Sequence, residues 1–212
     1  MGMRVFLILF LLHVTQSKVL QLTCSQVRDF VDGHNSRRLR LAKGEIPNQP
    51  AASDMGQVVW DDELAAKASE WASHYKFSHN PDRSIASGRF STGENIYYAG
   101  NSDMNWEINV DSAMEAWFNE YKDFEYGPLK IEHFQGSNGP IGHYTQMAWW
   151  NSVYVGCGIS ETFEKGMKVY YVVCNYGPSG NYLGQPPYKD NGASNELSCN
   201  VNDCDQIYGD SC

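Results

Sequence analysis

Apolar residues recur every three or four positions in three long stretches of this chain and crowd or alternate in three shorter ones, a pattern that predicts helices interleaved with strands. Thr23-Cys24-Ser25-Gln26 reads as a capping box, and Val27, Phe30, Val31, His34 and Arg38 follow at helical spacing until Gly44 stops the run. Asp61 is placed to cap a second helix with an expected buried stripe of Leu64, Ala68, Trp71 and Tyr75, and His79 falls just beyond its end. A third amphipathic helix is predicted over 109–124, its apolar face carrying Ala113, Ala116, Trp117 and Phe124. Segments 95–99, 153–159 and 168–176 read as strands, and the residues around His143 as a short helix. Such interleaving favours an α/β fold, a sheet covered by helices. From Gly184 onward the periodicity ends in Pro186, Pro187, Asn191 and Gly192 before three closely spaced cysteines, so residues 189 to 212 are expected to be a disulfide-held extension, too small for a core of its own.

Residues 1 to 17 read as a secretory signal peptide: Arg4, an apolar run over 5–12, then the small residues Thr15 and Ser17. The run is far too short for a transmembrane segment, so a secreted, extracellular protein is expected. The formal charge of −9 becomes more negative once Arg4 is removed, which argues against nucleic-acid partners. No Asn-x-Ser/Thr sequon occurs.

Cys24, Cys157, Cys174, Cys199, Cys204 and Cys212 make an even set, as expected of disulfides in an exported chain. Cys157 and Cys174 sit at facing points of two strand-like runs, so a bridge between them is geometrically reasonable. The other four allow three pairings, among which sequence alone does not choose; each ties Cys24 and the first helix to the tail. The tail spacing does not resemble a zinc site.

Glu120 is the most telling single residue. It lies three positions after Trp117, four after Ala116 and seven after Ala113, which sets a carboxylate on the apolar stripe of the third helix. Burying a carboxylate costs several kcal/mol unless it is paired, hydrogen-bonded or metal-linked, so a partner is required there.

Four segments then point to a family: Gly142-His143-Tyr144-Thr145-Gln146-Met147-Ala148-Trp149, the run from Tyr171 through Cys174-Asn175-Tyr176-Gly177-Pro178 to Tyr182, His34-Asn35-Ser36-Arg37, and Gly93-Glu94-Asn95-Ile96. In this order they resemble the signatures of the CAP superfamily: cysteine-rich secretory proteins, antigen 5 venom allergens and pathogenesis-related proteins. The resemblance covers residues 24 to 188. It implies a single α-β-α sandwich, supports the Cys157–Cys174 bond, and places His79, Glu94, Glu120 and His143 together in a central cleft. A sterol or other small lipid is the ligand class it brings with it, and Met104, Met114 and Met147 with the aromatics of the second half could line an apolar groove. The chain departs from many secreted members in having Tyr75 where they carry a cysteine, and no cysteine between Cys24 and Cys157. The loop before His143 is therefore expected to be looser. A tail with three cysteines is also short for channel block.

Two imidazoles can hold a labile divalent ion such as zinc, with flanking carboxylates fixing their tautomers, although none is required; the same four groups could equally form a polar network that binds nothing. Metal-dependent hydrolysis, by a peptidase or esterase, is the alternative reading of such a cleft. Against it there is no His-Glu-x-x-His pair, and no Gly-x-Ser-x-Gly elbow supports a serine route. The expectation is a secreted, non-catalytic effector of the venom-allergen or antigen 5 type, binding a small lipid, a metal or an extracellular protein through the cleft or through loops 44–58 and 83–108. His34 and Asn35 are expected to be structural, and His74 and His133 to lie on the surface.

Overall fold

The computed structural model describes residues 17–135, 139–202, 204–210 and 212, so residues 1 to 16 of the expected signal segment lie outside the described residues. The described elements are β1 (Lys18–Leu20), α1 (Cys24–Ala42), β2 (Val59–Trp60), α2 (Asp62–Ala72), β3 (Gly93–Asn101), α3 (Val110–Asn119), α4 (Glu132–Gln135), α5 (Gly142–Met147), β4 (Tyr154–Glu164) and β5 (Met167–Gly177). The sheet order is β1-β4-β5-β3, antiparallel throughout, and β2 adds a short parallel pairing to β4. Lys165 and Gly166 join β4 to β5, both in the left-handed region, the handedness that matches the twist of a two-residue hairpin.

Side chains alternate across this sheet, and the two faces bury different helices. Val155, Cys157, Ile159, Tyr170, Val172, Cys174 and Tyr176 share one core with buried residues of α1, α3 and α5. On the other face Ile96 and Val173 pack with Ala68 and Ala72 of α2. That side is very close, because β4 offers glycines to α2. A Cβ on Gly156 would stand 2.1 Å from the amide nitrogen of Ala65, and one on Gly158 2.4 Å from the Cα of Ser69.

The Thr23 capping box is formed in both directions, and Asp61 caps α2 by accepting from the Leu64 amide. Three helix details differ from the sequence reading. The stripe of α2 is Leu64, Ala68 and Ala72; Trp71 sits at its margin and Tyr75 lies beyond the helix at φ 52°. The glycine-lined strand admits only small residues, so the larger rings are displaced. Helix α3 ends at Asn119 and continues as a 3₁₀ turn over Glu120–Lys122, leaving Phe124 outside. Its buried face is Val110, Ala113, Met114, Trp117 and Phe118, and Ala116 is exposed, because Met114 seats over Gly33 of α1 and turns the helix about that contact. Met114 and Met147 are therefore core residues, and of the three methionines only Met104 is exposed.

The three disulfides are Cys24–Cys212, Cys157–Cys174 and Cys199–Cys204. The tail follows the strand entry: Gln57 N–H donates to Ser198 O at 2.9 Å and Trp60 N–H to Ile207 O at 2.8 Å. Leu197, Ile207 and Tyr208 join the main core from its margin. Among the described residues no helix is long and apolar enough to cross a membrane.

Candidate functional site

The cleft forms where β3 begins, and its two halves come from opposite faces of the sheet. Strand alternation sends Glu94 towards the α2 side and its neighbour Asn95 towards α5. Glu94 accepts from His79 Nδ1 at 2.8 Å and from the Asn80 amide at 2.9 Å. Asn95 Nδ2 donates to the carbonyl of His143 at 3.1 Å. From the 3₁₀ turn that follows α3 comes the carboxylate flagged by its spacing from Trp117: Glu120 accepts from His143 Nδ1 at 2.5 Å and from the amides of His143 and Tyr144 at 2.9 and 3.1 Å. His79, Glu94 and His143 line one cleft of about 570 Å³, and Glu120 supports His143 from behind.

The chemistry follows from who can donate. A carboxylate only accepts, so each histidine carries its proton on Nδ1 and, when neutral, presents the Nε2 lone pair. The carboxylates are sealed while the rings reach water: the Glu94 side chain is 0% exposed against 55% for His79, and Glu120 10% against 22% for His143. Trp117 stacks on His143, with centroids 6.1 Å apart and planes at 22°, and fixes its ring.

Helix α5 has only six residues and needs outside help at both ends. Glu120 satisfies two amides of its first turn. At the other end Arg38, 1% exposed, donates to the carbonyls of Met147 (2.8 Å), Trp149 (2.9 Å) and Trp150 (3.0 Å), and through Nε to Gly56 O (2.7 Å). Burial pulls the guanidinium down to about 9, partly offset by Tyr176 and Asp54, and leaves it charged at neutral pH. A buried anion at the amide end and a buried cation at the carbonyl end match the helix dipole. Arg38 reads in sequence as one more helical position; only the packed core shows its targets.

His34 and Asn35 have the structural roles expected of them. Asn35 pairs both ways with Val58, Nδ2 to O and Oδ1 from N–H, each at 2.9 Å, and so holds the entry to β2. His34 Nδ1–H donates to Phe30 O at 2.7 Å, and Nε2 accepts from the Tyr176 hydroxyl at 2.9 Å, which accepts in turn from Asn95. Helix α1 is thereby wired to the strand that positions His143. Burial lowers the His34 pKa from 6.5 to about 4, with Arg37 and Arg38 adding to the effect against the raising influence of the Phe30 carbonyl and Asp111. The unfolded chain therefore takes up this proton first. Its contribution is intact above pH 6.5 and shrinks as pH falls to about 4, a loss of about 3 kcal/mol. Urea unfolding at pH 7 and pH 4 should show His34→Gln losing about 3 kcal/mol less than the parent chain; equal losses would remove His34 as the cause.

His133 corrects the sequence reading. His74 is exposed as expected, but His133 is half-buried and lines the cleft beside Phe134. It lies on α4, one short helical turn between Gly- and Pro-bearing segments, with no periodic signal around it. Its Nδ1 accepts from the Lys130 amide at 3.2 Å, which puts the proton on Nε2 in the neutral ring, the reverse of the other two histidines. Among the described residues no group of three His, Cys, Asp or Glu side chains is placed to hold a metal ion. Gln49 ties part of the loop before α5 in place: its Nε2 donates to Tyr121 O and Phe124 O, and its Oε1 accepts from Tyr144 OH.

The cysteine-rich secretory protein (CAP) family's sequence model matches residues 31–176, which include all four cleft residues and the Cys157–Cys174 bond. The chain belongs to this family. It is 43% identical over 164 residues to venom allergen 5 of Polistes dominula, covering 74% of this chain and 69% of the relative, and 37% identical over 172 residues to venom allergen 5 of Rhynchium brunneum, covering 79% and 74%. Solved structures show the same fold. NaASP2 with Zn2+ superposes with a TM-score of 0.65 at 31% identity over 78% of this chain and 86% of the other. Venom allergen-like protein 4 of Schistosoma mansoni gives 0.58 at 28% identity over 76% and 92%.

Proposed function

We propose that this family member is a secreted, non-catalytic effector whose cleft takes a labile divalent ion, such as zinc, on Nε2 of His79 and His143, and a small amphiphile such as a sterol or lipid against Phe134, Pro140 and Ile141. The observation that carries the reading is the matched pair of Nδ1–carboxylate hydrogen bonds, which leaves both Nε2 lone pairs free on histidines that line one cleft. Two neutral imidazoles with water completing the coordination suit zinc, and the lack of a three-residue cluster among the described residues makes the site exchangeable rather than structural. The similar fold of NaASP2, whose structure was solved with Zn2+, supports the same choice. When bound, such an ion would supply Lewis acidity.

The glutamates argue against turnover. Glu94 is engaged by an imidazole and a backbone amide, and Glu120 by an imidazole and two amides. Both are largely buried and used to position the histidines, which opposes a role as general base for an attacking water. Calorimetric titration of the metal-free protein with zinc is expected to saturate, and His79→Ala with His143→Ala to weaken it at least about tenfold. Unchanged affinity in the double variant, or no saturable binding in the parent chain, overturns the metal assignment. The same two proteins should show no zinc-dependent peptide or ester hydrolysis; activity present only in the parent chain would establish an enzyme.

A further inference from the structure

A second pocket of about 280 Å³ shares His79, Glu94 and Asn181 with the cleft and is closed by Arg83, Ser91 and Ser179. We infer that Arg83 makes this pocket an anion subsite, which takes a carboxylate, sulfate or phosphate group on the molecule held in the cleft. The backbone of Arg83 is fixed: its carbonyl accepts from the Thr92 amide at 2.8 Å and from the Thr92 hydroxyl at 3.3 Å, next to the start of β3. Its guanidinium is unspent. The nearest charge is Glu94 Oε1 at 3.9 Å, and among the described residues no hydrogen bond uses its five N–H donors. A dedicated counter-ion for Glu94 would close that gap and bond directly. Oε1 instead accepts from His79 and Asn80, which offsets its repulsion of an incoming anion.

Ser91 and Ser179, which line the same pocket, belong to a hydroxyl chain with a donor to spare. Ser91, Ser179 and Tyr182 form a chain with two contacts of 3.0 Å, so one of the three O–H protons is left to donate outward. A planar fork of donors and a hydroxyl pair lining one pocket suit an oxyanion, in a protein with a formal charge of −9 that otherwise repels anions. This subsite deepens, and rests on, the reading of the cleft as a ligand platform.

Metal-free protein in about 0.15 M sodium chloride, where diffuse surface attraction is screened, can be titrated with sodium sulfate and separately with sodium acetate. Proton–nitrogen NMR then reads the Arg83 Nε–H and the amides of Gly93 and Gly180. The expected result is saturating shifts confined to this pocket, weakened at least about tenfold in Arg83→Gln and partly restored in Arg83→Lys, which keeps the charge without the fork. Sulfate preferred to acetate assigns a tetrahedral group, and the reverse order a carboxylate. Equal shifts in Arg83→Gln, or unsaturated shifts spread over surface lysines, would overturn the inference. Zinc titration of Arg83→Gln keeps the two ideas apart: zinc retained with sulfate lost supports the subsite, and sulfate retained in Arg83→Gln sinks it whatever zinc does.

Discussion

Arg38→Ala is expected to lower the stability of the folded chain by about 4 kcal/mol, from four carbonyls that each lose a donor worth about 1 kcal/mol in a site that water does not reach. For a chain of this size that corresponds to a fall of roughly 8–16 °C in melting temperature. Three of the four acceptors lie at the end of α5, so the damage should concentrate there. His143 would then lose its fixed position, and zinc affinity should fall with stability. Arg38→Lys is expected to recover less than half, because a single ammonium cannot span carbonyls arranged for a planar fork. Thermal unfolding of the three proteins checks this. A loss below about 1 kcal/mol in Arg38→Ala would mean that the carbonyls find other donors.

Replacing Cys24 and Cys212 together by serine should cost up to about 5 kcal/mol, the loop-closure value for a bond spanning 188 residues. The Cys157–Cys174 bond spans 17 residues and on the same reckoning is worth about 3 kcal/mol. The first figure is a ceiling, since the tail is also held at Gln57 and Trp60 by backbone hydrogen bonds and by Arg28 Nη2, which donates to Cys212 O at 2.9 Å. Urea unfolding of both pairwise serine variants gives the comparison, and the Cys24 and Cys212 variant should show the larger loss. If the Cys157 and Cys174 variant proved weaker instead, local sheet packing rather than chain entropy would govern these bonds. Zinc binding should survive loss of the terminal bond, because none of the cleft residues lies on the tail.

Much of the site could be read before any coordinates. A carboxylate at position 120 on an apolar stripe demands a partner, and the structure supplies three donors from His143 and Tyr144. Helical periods located the helices because each buries one face, and the β4 and β5 strands showed as apolar runs because they are buried on both. They failed where a neighbour rotated or displaced a side chain: Met114 over Gly33 turned α3 and exposed Ala116, and the glycines of β4 shifted the stripe of α2 from Trp71 to Ala72. His133 was misplaced because α4, with four residues, is too short to carry a period.

Local chemistry by itself determined the capped starts of α1 and α2, a strand over 95–99 that the structure extends to Gly93–Asn101, and an even set of cysteines suited to an oxidising compartment. These depend on neighbours within a few residues. The choice of Cys24 as the partner of Cys212, the four carbonyls gathered by Arg38 and the unspent guanidinium of Arg83 were decided only by the tertiary structure. Each depends on the distance between segments far apart in the chain, and that distance is set by packing the whole core.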